Sequence, residues 1–250
     1  MSDVSDVRDV TGLHGRARRW LAAVVALAAV LTGCSEGPQA AQLPPTPAEP
    51  KLTYVALGAS DAIGFGADQP LTQAWPQLLV RSELPVSATF VNAAADGSTV
   101  AQALDRQLSL AESVSPDLAT VSFGVNDLRA GVSAEDYEFD LGTLVHGVRR
   151  GGATRVLLGN VPPIDHLPAY LAAAGTEFPG PDVVVAAVDA YNAAVARVAA
   201  REGAELVDLH AAGLAAREEG IEATLVSADG FHPSTAGHRR IAEAFAAVLG

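Results

Sequence analysis

From residue 51 onward the chain alternates two kinds of apolar pattern. Short runs rich in β-branched and apolar residues predict strands at 52–57, 88–92, 118–123, 154–159 and 205–208. Between them, apolar positions recur at helical spacing around 72–83, 98–113, 134–149 and 183–202. A last helix is predicted over about 234–248, with Ile241, Ala242, Phe245, Val248 and Leu249 as its apolar stripe. Strands that alternate with helices form βαβ units and hence a parallel sheet. Right-handed crossovers then place helices on both faces. The expected fold class is α/β, a three-layer α/β/α domain over residues 51–250 built on five strands. Trp75 is expected to pack in the core under the first helix. The longest irregular piece, Pro162 to Pro181, is too long for a plain connection and is expected to border a pocket.

The first 50 residues follow neither pattern. Arg16, Arg18 and Arg19 precede an apolar stretch from Leu21 to Thr32. A helix that crosses a bilayer needs about 20 apolar residues, so this stretch is too short to span one. A basic segment before a short apolar one is the pattern of a secretory signal. Its end, Leu31-Thr32-Gly33-Cys34, resembles the lipobox of bacterial lipoprotein signals. That resemblance implies cleavage before Cys34 and lipidation of its sulfur, and two acyl chains suffice for stable anchoring. Residues 1–33 are therefore expected to be a signal peptide. Residues 34–50, with Pro38, Pro44, Pro45, Pro47 and Pro50, are expected to be an extended tether. The expected location is the extracytoplasmic face of the membrane; whether export is general or twin-arginine stays open.

Composition narrows the rest. Cys34 is the chain's one cysteine, so no intramolecular disulfide is possible. The net charge is -13; without residues 1–33 it is 12 minus 26, or -14. Nucleic-acid binding needs a basic footprint, so that class of partner is excluded. With 5% aromatic residues, the core must be filled by Ala, Val and Leu.

Four short segments carry candidate chemistry. The first strand breaks off in Gly58-Ala59-Ser60-Asp61. Ligands of open α/β sheets sit just beyond the carboxyl ends of strands, where Ser60 is a candidate nucleophile. A helix cap is the competing reading of Ser60. After the second strand, Gly97 can turn a backbone N–H toward a reacting group, or simply make a turn. After the third, Asn126 of Gly124-Val125-Asn126-Asp127 offers a side-chain amide to an oxyanion, or makes a turn with Asp127. Before the last helix, Asp229 and His232 lie three apart in Asp229-Gly230-Phe231-His232. A carboxylate there fixes the tautomer of an imidazole general base; capping of the helix by Asp229 is the alternative. No second His or Cys stands at metal-ligand spacing beside them. His146, His166, His210 and His238 are expected to be surface or satisfied core residues, with His166 the one in a loop near the pocket.

Taken together, in this order, these segments resemble the SGNH hydrolase superfamily, also called GDSL esterases and lipases. The resemblance covers about residues 52–248. It implies a flavodoxin-like sheet of strand order 2-1-3-4-5, with Ser60 as nucleophile and Asp229 and His232 as its triad partners. It also implies an oxyanion hole of Gly97, Asn126 and the Ser60 backbone N–H. The expected function is a serine esterase acting on carboxylic esters (lipid, acyl or acetyl-sugar) through an acyl-enzyme, a monomer needing no metal or organic cofactor. The family's Gly-Asp-Ser reads Gly58-Ala59-Ser60 here, and Ala94 stands where many members have a second glycine. The first departure bears on substrate preference or local turn bonding more than on reaction type. The Gly-x-Ser-x-Gly elbow of α/β-hydrolases is absent, because Ala62 occupies its last position. An acyltransferase on the same site and a non-catalytic envelope binding module remain alternatives.

Overall fold

The computed structural model describes residues 51–174 and 179–250. The expected signal, tether and Cys34 lie outside the described residues. Five strands, β1 Thr53–Leu57, β2 Thr89–Asn92, β3 Leu118–Ser122, β4 Arg155–Gly159 and β5 Glu205–Val207, form one sheet. Its order is β2-β1-β3-β4-β5 and every pairing is parallel. Tyr54 stands beside both Phe90 and Leu118, and Leu157 beside Glu205.

The helices, in chain order, are α1 Pro70–Gln73, α2 Trp75–Glu83, α3 Val100–Val114, α4 Val125–Arg129, α5 Ala134–Arg149, α6 Pro168–Ala173, α7 Pro181–Glu202, α8 Leu209–Glu218 and α9 Thr235–Leu249. Successive strand residues point to opposite faces, and this splits the core in two. Val55, Leu57, Val121 and Leu158 pack with Ala103, Leu141, Leu144 and Val195 of α3, α5 and α7. Tyr54, Ala56, Leu157 and Val207 pack with Trp75, Leu79, Ala242 and Phe245 of α2 and α9. Trp75 lies flat on Phe245, with ring centroids 4.5 Å apart and planes 4° apart. These are the three layers expected from the alternation of periods.

Two expectations need correction. The helix expected over 72–83 is broken into α1 and α2. Ala74 between them has an extended ψ of 144°, and a proline stands in the first turn of each helix. Proline opens a helix readily because its missing N–H would have no partner there anyway, so Pro76 starts a second helix instead of continuing the first. The piece from Pro162 to Pro181 is not irregular throughout, since α6 lies inside it. The apolar stripe of the last helix faces the core as expected: Ala242 and Phe245 are buried, and Ile241, Val248 and Leu249 pack against that core, partly buried.

Candidate active site

Ser60 lies three residues beyond β1 and is 7% exposed. The segment after it is a series of turns. Ala62 N donates to Ala59 O at 3.1 Å, Gly64 N to Asp61 O at 3.1 Å, and Phe65 N to Ser60 O at 3.0 Å. No helix starts between Ser60 and Pro70, so Ser60 is not a helix cap. Its hydroxyl instead meets the other end of the chain, with His232 Nε2 3.0 Å from Ser60 Oγ.

The turn from Ser227 to Pro233 builds the rest. Asp229 Oδ1 accepts from Ser227 Oγ at 2.7 Å, Phe231 N at 2.8 Å and His232 N at 2.9 Å. Its other oxygen, Oδ2, lies 2.7 Å from His232 Nδ1. Partial burial works against its charge, but the bonds from His232, Phe231 and Ser227 prevail and hold the carboxyl well below the usual carboxylate range. An ionised Asp229 accepts the Nδ1 proton, which leaves the Nε2 lone pair facing Ser60. The rings of Phe65 and Phe231 stand against the imidazole, their centroids 5.3 Å and 5.0 Å away.

A clamp joins the two ends of the site. Gly66 has a φ of +86°, and a Cβ there would lie 2.3 Å from Pro233 O and 2.9 Å from His232 Cβ. Only glycine lets the loop after Ser60 press so closely on the histidine turn. His238, fully buried on α9, bonds Phe65 O through Nε2 at 2.8 Å. Burial pushes His238 below its ordinary value, so it is a neutral donor. Thr235 Oγ1 accepts from Asp68 N and donates to Asp68 Oδ2, both at 2.9 Å. The final helix thus holds the nucleophile loop as well as carrying the histidine turn.

Asn126, in the first turn of α4, donates from Nδ2 to Ser98 O at 3.2 Å. One N–H of that amide is thereby engaged and the second is left over. Gly97 adopts a φ of +66° in the exposed turn before Ser98. Ser60, Ser98, Asn126 and His232 all line one cavity of about 200 Å³, and it reaches the crevice between α8 and α9. His166, half-exposed, lies 3.2 Å from Glu222 and 3.5 Å from Asp165. Among the described residues no group of three or more His, Cys, Asp or Glu is arranged to hold a metal ion.

Two supporting residues escape a reading of the sequence. Gln107 of α3 is buried; it accepts from Gly58 N at 3.0 Å and donates to Gly58 O at 2.9 Å and Ser98 Oγ at 3.1 Å. It fixes the strand end that carries Ser60. The available signal is a polar residue inside the apolar stripe Val100, Ala103, Gln107, Ala111. Asp127, also buried, accepts from Val100 N at 2.9 Å through Oδ1 and so ties the Asn126 segment to the start of α3. Burial raises its carboxyl above the ordinary value. Its neighbours suggest only a turn.

Comparison with known proteins agrees with this geometry. Residues 56–240 match the GDSL-like Lipase/Acylhydrolase family. The chain is 26% identical over 193 residues to the esterase TesA of Pseudomonas aeruginosa, covering 76% of this chain and 84% of that protein. It is 27% identical over 110 residues to an arylesterase of Vibrio mimicus, covering 43% of this chain and 55% of that one. The structure of the acetylxylan esterase Axe2 from Geobacillus stearothermophilus superposes with a TM-score of 0.64 at 22% identity, over 80% of this chain and 94% of that one.

Proposed function

Since the chain belongs to the GDSL-like lipase/acylhydrolase family and is a hydrolase of ester bonds, we propose that Ser60, His232 and Asp229 perform that hydrolysis through an acyl-enzyme. One observation carries this reading: the line from Ser60 Oγ to His232 Nε2 at 3.0 Å and from His232 Nδ1 to Asp229 Oδ2 at 2.7 Å. His232 takes the Ser60 proton as Oγ bonds the ester carbon, and the carbonyl pair moves to its oxygen. The Ser60 N–H, the Gly97 N–H and the free N–H of Asn126 hold that oxyanion. One such donor is worth about 3–4 kcal/mol. The bond to the alkoxy oxygen then breaks, and His232 passes its proton to the departing alcohol. Water, deprotonated by His232, attacks the acyl carbon and returns Ser60 to its hydroxyl form.

The test is hydrolysis of nitrophenyl esters by the domain over residues 51–250 and by its Ser60→Ala variant. The variant is expected to lose activity by about 10⁴-fold or more. Equal activity in both proteins contradicts the assignment.

We further propose that the enzyme is a monomer, exported and held at the extracytoplasmic face by lipid on Cys34. The basic segment, the short apolar stretch and Leu31-Thr32-Gly33-Cys34 support this. The Cys34→Ala variant is expected in the soluble fraction after cell breakage. Undiminished membrane attachment of that variant argues against the anchor.

A further inference from the structure

The cavity beside Ser60 continues well past the reacting groups. Ile164, Leu209, Ala212, Ala216, Leu225 and Ile241 are among its walls, so it takes in residues of both α8 and α9. Leu209, Ala212 and Ala216 fall on one face of α8, and two of the three are alanine. The space is therefore open because the residues facing it are short. Gly213 on that face lets Pro163 approach: a Cβ there would lie 2.5 Å from the proline ring. Three charged residues, Asp61, Glu222 and Arg240, also line the cavity, and each is engaged: Trp75 Nε1 donates to Asp61 Oδ2 at 3.1 Å. Glu222 takes Arg217 at 2.8 Å and His166 at 3.2 Å, and Arg240 lies 3.3 Å from Glu219. What faces the interior beyond the reacting groups is mainly hydrocarbon.

A mainly apolar space of this kind offers few partners to the hydroxyls of a sugar, and a buried hydroxyl without a partner is costly. It suits a hydrocarbon. An ester has two halves, and the reaction sequence decides between them. The alcohol leaves after the first step, and water must then reach the acyl carbon from the side the alcohol vacated. The acyl half stays bonded to Ser60 through both steps, so it alone can occupy a walled space throughout. We infer that the cavity between α8 and α9 is an acyl subsite selecting esters of unbranched aliphatic acids. A cavity of about 150 Å³ lined by apolar side chains holds a benzene ring, so this one suits a chain of roughly six to eight carbons. The inference rests on the proposed acyl-enzyme at Ser60.

The experiment holds the leaving group constant and varies the acid. For p-nitrophenyl esters from acetate to palmitate, kcat/KM rises about fourfold per added methylene and stops rising near octanoate. Filling the subsite with Ala216→Phe lowers the octanoate-to-acetate ratio of kcat/KM by about a hundredfold, and the smaller Ala216→Val lowers it less. If neither variant folds, p-nitrophenyl alkylphosphonates of increasing chain length serve on the wild-type protein, whose inactivation rate follows the same profile. Activity that depends on Ser60 but ignores acyl length overturns the subsite and leaves the acyl-enzyme intact. A ratio unmoved by both substitutions also overturns it, as does a profile that follows alcohol length in alkyl acetates instead. Activity that survives Ser60→Ala overturns the acyl-enzyme itself.

Discussion

Asp61 follows the nucleophile directly and is partly buried, with Trp75 Nε1 donating to its Oδ2 at 3.1 Å. Burial raises its carboxyl above the ordinary value, and the indole bond and the nearby His238 offset only part of that. The sign of the effect on stability follows from linkage. A carboxyl whose folded value exceeds its unfolded value contributes stability below the unfolded value, about pH 3.9. That contribution is lost as pH rises through the folded value. At neutral pH the charge is thus held in place at a cost. Asp61→Asn removes the charge and keeps an oxygen for Trp75. It is expected to raise Tm by a few degrees at pH 7, with the gain disappearing as the scan is moved toward pH 4. A gain that is the same at both pH values would show that the charge is not its source. At this scale the sequence is legible for Ser60, Asn126, Asp229 and His232, because each stands in a short segment whose residue types suit the chemistry. Gln107, Gly66 and His238 are less legible. Their roles lie in contacts 49, 166 and 173 residues away in the chain (to Gly58, His232 and Phe65), and no local pattern announces those.

Among the elements, α9 does the most for the site. Its N-cap Ser234 accepts from Gly237 N at 3.2 Å and donates to Thr224 O at 2.7 Å, so it fastens the helix start directly after the Asp229–His232 turn. Ser234→Ala removes both bonds and is expected to cost about 1 kcal/mol. In a chain of this size that lowers Tm by roughly 2–4 °C, which a thermal melt reads. An unchanged Tm would mean that the turn holds itself. The five strands and the long helices were legible because an apolar run or a broad stripe repeats over enough residues to be counted. The short and the low-contrast helices were not. With five and six residues, α4 and α6 offer barely one full turn of period. In α8 the stripe is Leu209, Ala212, Ala216, where alanine gives little contrast with a polar neighbour. That same poverty of side chain opens the cavity.

Across the whole molecule, the parallel sheet of order 2-1-3-4-5 gathers the ends of β1, β2 and β3, and α9 brings in the histidine turn. Ser60 and His232 are 172 residues apart in sequence and 3.0 Å apart in space. The site is therefore a property of the complete fold. Its geometry supports the claim on which the proposed function depends, that Ser60 Oγ forms the covalent bond to substrate. The most direct measurement is intact-mass and peptide mass spectrometry after exposure to a p-nitrophenyl alkylphosphonate, which leaves a stable phosphonyl group on the attacking oxygen. The wild-type domain is predicted to gain one phosphonyl group, on the peptide containing Ser60, and Ser60→Ala to gain none. Labelling on another residue, or equal labelling of the Ser60→Ala variant, would contradict it.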